Sequence, residues 1–122
     1  MTDPVARRRE ALTLGAEAEE QVASALLAQG WTVCARNWLG GGGELDLVAE
    51  REGCIRFVEV KARASGDFVG LEAVGPGKQR KLSRAAEAWL SRWDGPFEEA
   101  SFTVVLVQDG VLHWIDNAFD GV

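Results

Sequence analysis

Cys54-Ile55-Arg56-Phe57-Val58-Glu59-Val60-Lys61 carries apolar side chains at both odd and even positions. Alternate side chains of an extended strand face opposite ways, so Ile55 and Phe57 lie on one face and Val58 and Val60 on the other. A strand that is apolar on both sides is covered on both sides, which places it in the middle of a sheet. Glu59 and Lys61 continue the Ile55/Phe57 face, where burying a charge is costly unless it is paired or bound to a metal.

Ahead of this run, residues 44–50 alternate, with Leu45, Leu47 and Ala49 on one side and Glu44, Asp46 and Val48 on the other. Arg51-Glu52-Gly53 is a short turn, so the two runs pair antiparallel as a hairpin. Residues 8–29 read as a helix from the three- and four-residue recurrence of Leu12, Ala16, Glu19, Ala23, Leu26 and Leu27, stopped by Gly30. Residues 1–8 before it are expected to be disordered. A short strand over 31–36 follows, then Asn37-Trp38-Leu39 leads into Gly40-Gly41-Gly42-Gly43, a loop that is either flexible or tightly bent.

Beyond the central strand a Gly-rich loop spans 65–77. A second helix over 78–92 buries Leu82, Ala85, Ala86, Trp89 and Leu90. Strands over 102–108 and 111–116 are joined by the turn Asp109-Gly110. The order helix, three strands, helix, two strands gives an α/β fold: one mixed central sheet flanked by helices, in a single domain over 1–122.

With 47% hydrophobic and 26% charged residues, the chain has the composition of a folded globular domain and not of a disordered one. No apolar run approaches the ~20 residues that span a bilayer, and no membrane role is expected. Arg7-Arg8-Arg9 is followed by Glu10 and a Glu-rich stretch in place of the apolar segment of an export signal, so the expected location is cytoplasmic. Cys34 and Cys54 sit inside strand-like runs without metal-ligand spacing, and His113 is the one histidine. The two cysteines read as buried reduced thiols, and the spacing argues against a zinc site.

The net charge of −6 counts against a general polyanion binder. Between Lys61 and Arg84, however, six basic residues face two acidic ones, a local +4 that leaves −10 for the remainder. If those bases share a face, a phosphate backbone can dock there. A solvated helix face gives the same pattern. Of five tryptophans, Trp38 beside the glycine run is the candidate for base stacking, and the others read as packing residues. The glycine run itself lacks the Lys-Ser/Thr of a nucleotide phosphate loop and precedes a strand instead of a helix.

The constellation with chemistry in it combines the two hairpin strands. Glu44 and Asp46 project from one side of theirs, and if that is also the Glu59/Lys61 side, three carboxylates and one ammonium meet at one sheet end. A hard divalent cation such as Mg²⁺ or Mn²⁺ would neutralise the excess and leave positions for water and a phosphate. The alternative is a structural salt bridge between Lys61 and Glu59 or Asp46.

Gly43-Glu44-Leu45-Asp46-Leu47-Val48-Ala49, followed by Phe57-Val58-Glu59-Val60-Lys61-Ala62-Arg63, resembles the signature of the YraN family. These are uncharacterised bacterial proteins of the restriction-endonuclease-like, or PD-(D/E)-x-K, superfamily, similar to Holliday-junction resolvases. The likeness extends to Gly15, Glu19, Gly30, Arg36-Asn37 and Lys78, and so covers nearly the whole chain. It implies that Asp46 and Glu59 bind Mg²⁺ or Mn²⁺ with the carbonyl of Val60, and that Lys61 is the catalytic base or water-orienting group. Glu19 would be an auxiliary ligand and Glu44 a supporting residue. Arg63, Lys78, Lys81 and Arg36 would contact nucleic acid. The implied activity is hydrolysis of DNA phosphodiester bonds, including branched DNA, and dimerisation is frequent among junction-cleaving relatives. The alternative is a non-catalytic nucleic-acid-binding or protein-interaction module that keeps the fold. Two departures stand out: Leu45 replaces the superfamily's Pro, and Ser101-Phe102-Thr103 replaces the subfamily's usual Arg-Phe-Asp.

Overall fold

A computed structural model of the chain describes residues 3–63 and 74–120. Helix α1 (Pro4–Ala28) precedes strands β1 (Thr32–Gly40), β2 (Gly43–Arg51) and β3 (Cys54–Arg63). Helix α2 (Pro76–Leu90) then crosses over to β4 (Glu99–Gln108), and β5 (Val111–Ile115) ends the sheet. The element order is the expected one. The five strands lie in sequence order, all antiparallel to their neighbours except β3 and β4, which run parallel through the α2 crossover. This mixed sheet between helices is compatible with a restriction-endonuclease-like fold.

Strand β3 is the middle strand, and its two apolar faces meet different helices. Ile55 and Phe57 join Leu45, Val48, Phe102, Val104 and the α2 residues Leu82, Ala85, Ala86 and Trp89. Val58 joins Leu47, Ala49, Val105, Val107 and the α1 residues Ala18, Val22, Ala23 and Leu26. The Phe57 ring meets Trp89 edge-on at 5.9 Å and Phe102 at 5.5 Å, the geometry that aromatic quadrupoles favour.

Three tight turns set the strand pairing. Gly41-Gly42, Glu52-Gly53 and Asp109-Gly110 each place two consecutive residues at positive φ, the conformation a two-residue hairpin requires. The glycine run is therefore a turn, with Gly40 and Gly43 paired across it, and β1 continues through Asn37-Trp38-Leu39 instead of ending at 36.

Several expectations are corrected. Helix α1 begins at Pro4, inside the segment expected to be disordered, because Asp3 caps it by accepting from the Val5 N–H at 3.1 Å and Pro4 suits a first helical position. The buried stripe of α1 is Ala18, Val22, Ala23 and Leu26, whereas Ala16 and Leu27 are exposed. The helix thus packs on a face rotated from the one that periodicity suggested. The Leu12 side chain and most of the Gly-rich 65–77 loop lie outside the described residues. Cys34 and Cys54 are free, as expected, but half-buried.

Thr103 is buried and its hydroxyl donates to Asp116 Oδ1 at 3.3 Å, and the same oxygen lies 3.5 Å from the Arg56 guanidinium.

Candidate active site

Strict alternation predicts Leu45 and Leu47 on one face of β2. The structure separates them: Leu45 packs under α2 and Leu47 under α1. The break falls at Asp46, opposite which Asn37 of β1 sits at φ +48°, between the pairs Arg36–Leu47 and Trp38–Leu45. Beyond Leu47–Val58 the β2–β3 pairing stops. The Val60 N–H, which would otherwise continue the ladder, donates to Asp46 Oδ2 at 2.9 Å. A side-chain carboxylate here replaces a backbone carbonyl, and the two strands part around it.

Asp46 consequently feels charges from both layers. Its carboxyl lies within hydrogen-bonding reach of Glu59 on β3, and burial, followed by the Glu59 charge, pushes its pKa up to about 6. The Val60 N–H and the Lys78 ammonium oppose that rise without cancelling it. From the α1 side comes Glu19, whose pKa is raised by burial and by the charges of Asp46 and Glu44, against hydrogen bonding from Asn37 and the charge of Arg36. Its Oε1 is buried without a hydrogen-bond partner. An orphaned carboxylate oxygen beside two other acids marks a place that favours positive charge.

One cation is already present. Glu59 is only 7% exposed, and its Oε1 accepts from Lys78 Nζ at 2.5 Å. Lys78 stands in the first turn of α2. Burial lowers its pKa, but the hydrogen bond and charge of Glu59, with Asp46 and Glu44, outweigh that and leave it raised. The sheet end and α2 enclose a cavity of about 420 Å³, lined by Gly43, Glu44, Asp46, Glu59, Gly77, Lys78, Lys81 and Leu82.

Glycine is what lets the β1–β2 hairpin close this cavity. A Cβ on Gly43 would lie 2.6 Å from the Lys81 carbonyl oxygen, and one on Gly41 2.5 Å from that of Arg84. The hairpin tip therefore rests directly on the α2 backbone, which a side chain at either position would lift away.

The structure divides the residues singled out in the sequence. Asp46, Glu59, Glu44, Lys78 and Lys81 share the cavity, and Glu19 adjoins Asp46 behind it. Lys61 is half-buried on β3, two residues past Glu59, and does not line the cavity among the described residues. Arg63 lies at the same sheet end but under α1, where it lines a separate hollow with Glu17, Gln21 and Asp109. Arg36 is paired with Glu20 at 2.8 Å. Trp38 packs against the α2-side core, with the Arg92 guanidinium 5.8 Å from its ring. Sequence reasoning missed Lys78 as the partner of Glu59: the two are 19 positions apart, and only the α2 crossover brings them together.

Among the described residues no three acidic, histidine or cysteine side chains converge as a ready-made metal cluster. The oxygen donors at hand are the Asp46 and Glu59 carboxylates that line the cavity and the unpartnered Glu19 Oε1 beside Asp46. That set fits Mg²⁺ or Mn²⁺, since Mg²⁺ commonly binds through one or two carboxylates with water and substrate oxygens completing the shell. No helix among the described residues is long and apolar enough to cross a membrane.

The model of the uncharacterised protein family UPF0102 matches residues 18–107, which take in β1 to β3, α2 and all but the last residue of β4. Among curated relatives, a UPF0102 protein of Halorhodospira halophila is 38% identical over 120 residues, covering 98% of this chain and 97% of its own. One from Paracidovorax citrulli is 38% identical over 120 residues, covering 94% and 88%. A third, from Synechococcus sp., is 47% identical over 92 residues, covering 74% and 69%. The matched span holds the whole Asp46–Glu59 hairpin together with Lys78, and the chain belongs to the UPF0102 family.

Proposed function

We propose that this protein is a Mg²⁺- or Mn²⁺-dependent endonuclease of the PD-(D/E)-x-K kind that hydrolyses DNA phosphodiester bonds, including those of branched DNA. The observation that carries the reading is the meeting of Asp46 and Glu59 where β2 and β3 part. Both carboxyls line one cavity, where burial and the Glu59 charge raise the pKa of Asp46 and which also presents Lys78 and Lys81.

Asp46 and Glu59 hold the ion, with Glu19 approaching from α1 and the Val60 carbonyl contributing from the strand. Bound there, a divalent cation supplies charge neutralisation to the phosphate and acidifies water. Asp46 stays fixed by the Val60 N–H, so its carboxylate is aimed before the ion arrives. Lys61, beyond Glu59 on the same strand, orients the attacking water or takes up its proton. Lys81, exposed on the cavity rim, meets a phosphate oxygen and helps overcome the repulsion of an acidic protein for DNA.

A second reading is a non-catalytic nucleic-acid-binding or protein-interaction module. It draws on the Lys78–Glu59 pair, which compensates the central carboxylate without any metal. Incubation with branched, single-stranded and duplex DNA plus Mn²⁺ separates the two. The nuclease reading expects cleavage that a chelator stops and that Lys61→Ala and Glu59→Gln each reduce at least about a hundredfold. DNA binding with a steep salt dependence and no turnover on any substrate supports the module instead.

A further inference from the structure

The nuclease reading puts a divalent cation between Asp46 and Glu59, where the Glu59 oxygen is already taken. Lys78 Nζ lies 2.5 Å from Glu59 Oε1, and its charge also acts on Asp46. A divalent cation on either oxygen of that carboxylate would stand a few ångströms from the ammonium, and at such separations the repulsion of two cations in a partly buried site is severe. The two partners differ in freedom. Glu59 is fixed in the central strand and nearly buried, whereas the Lys78 side chain is half-exposed, on the first turn of α2 at the cavity wall. Its long flexible stem can swing to solvent without opening the core, which α2 fills with Leu82, Ala85, Ala86 and Trp89.

We infer that Lys78 is an exchangeable counter-ion of Glu59, which neutralises the site without metal and must leave when a divalent cation binds. Lys78 thereby sets the affinity of the site for that cation. Part of the carboxylate attraction is spent on displacing an ammonium, and removing the ammonium strengthens metal binding. The inference rests on the nuclease reading for the place of the ion, but it concerns a residue that the two-part motif does not contain.

The test uses the full-length protein freed of metal, with Mn²⁺ as probe and free Mn²⁺ counted by electron paramagnetic resonance. Lys78→Met, which keeps the stem and removes the charge, is expected to bind Mn²⁺ about tenfold more tightly than the wild type. Lys78→Arg keeps the charge and is expected to stay within about twofold of it. Circular dichroism checks that each variant is folded. As an independent readout on the unaltered chain, Lys78 is expected to be acetylated several times faster by a small amine-reactive reagent once Mn²⁺ is added, with Lys81 as internal reference. Wild-type Mn²⁺ binding with no gain in Lys78→Met, or Lys78 acetylation unchanged by Mn²⁺, overturns the role given to Lys78 and leaves the metal site standing. Failure of both proteins to bind Mn²⁺ overturns the metal site and this inference with it.

Discussion

Replacing Asp46 by Asn should make the metal-free protein more stable while removing its capacity to bind metal. Asn keeps a carbonyl to accept the Val60 N–H, now made at 2.9 Å, and removes a negative charge from beside Glu59. The Asp46 carboxyl titrates near 3.8 when solvated and is pushed up to about 6 in the fold by burial and by Glu59. Between those values the folded protein holds a proton that the unfolded chain releases, so stability present below pH 4 is lost as pH rises through 6. At 1.36 kcal/mol per unit, the ionised carboxylate costs the native state about 2–3 kcal/mol at pH 8. For 122 residues at roughly 2.1 cal/mol/K each, 1 kcal/mol moves the melting temperature about 4 °C, so Asp46→Asn should gain about 8–12 °C at pH 8. The gain should shrink towards zero at pH 4. Urea unfolding of both proteins from pH 4 to 8 in a chelator measures it. If Asp46→Asn is no more stable at pH 8 than the wild type, the strained acid pair is not there and the reasoning fails.

Mn²⁺ affinity should rise between about pH 5 and 7 and level off above, because binding must displace the proton that Asp46 retains up to about 6; calorimetry across that range checks it. Glu19→Gln removes the carboxylate whose Oε1 has no partner, and should stabilise the metal-free protein at pH 8 while weakening Mn²⁺ binding at least about tenfold. Gly43→Ala drives a methyl against the Lys81 carbonyl and should cost about 1–3 kcal/mol in thermal unfolding, with DNA cleavage lost as the hairpin lifts off α2. Gly42→Ala meets open space and should cost only about 1 kcal/mol, for the strain of its φ of +84°.

The architecture was legible because each strand and helix shows its period. Val58 and Phe57, apolar on opposite sides, announced a central strand covered twice, and Asp109-Gly110 and Arg51-Glu52-Gly53 announced their hairpins. The glycine run was harder to read, since a row of glycines signals backbone freedom without saying which two residues turn; the close approach to α2 that makes Gly41 and Gly43 necessary is a tertiary fact. In α1, small and charged residues recur with nearly every phase, so the expected stripe and the buried one share Ala23 and Leu26 but differ at Ala16 and Leu27, which are exposed, and at Ala18 and Val22, which are buried. The site was half visible. Asp46 and Glu59 stood out as acids in apolar strands, and the structure joins them. The alternation that was to bring them together is broken at Asp46, however, and the carboxylate reaches Glu59 because the strands separate there. The ammonium closest in sequence, Lys61, is not the one on Glu59. Lys78 takes that place through a helix crossover that no local spacing encodes.

A crystal structure of the protein soaked in Mn²⁺, with anomalous scattering recorded to locate the ion, addresses the metal site directly. The expected result is a single strong peak bridging the Asp46 and Glu59 side chains, with Lys78 swung away from Glu59. Lys78 still bound to Glu59 and no manganese within coordinating distance of either acid would contradict it.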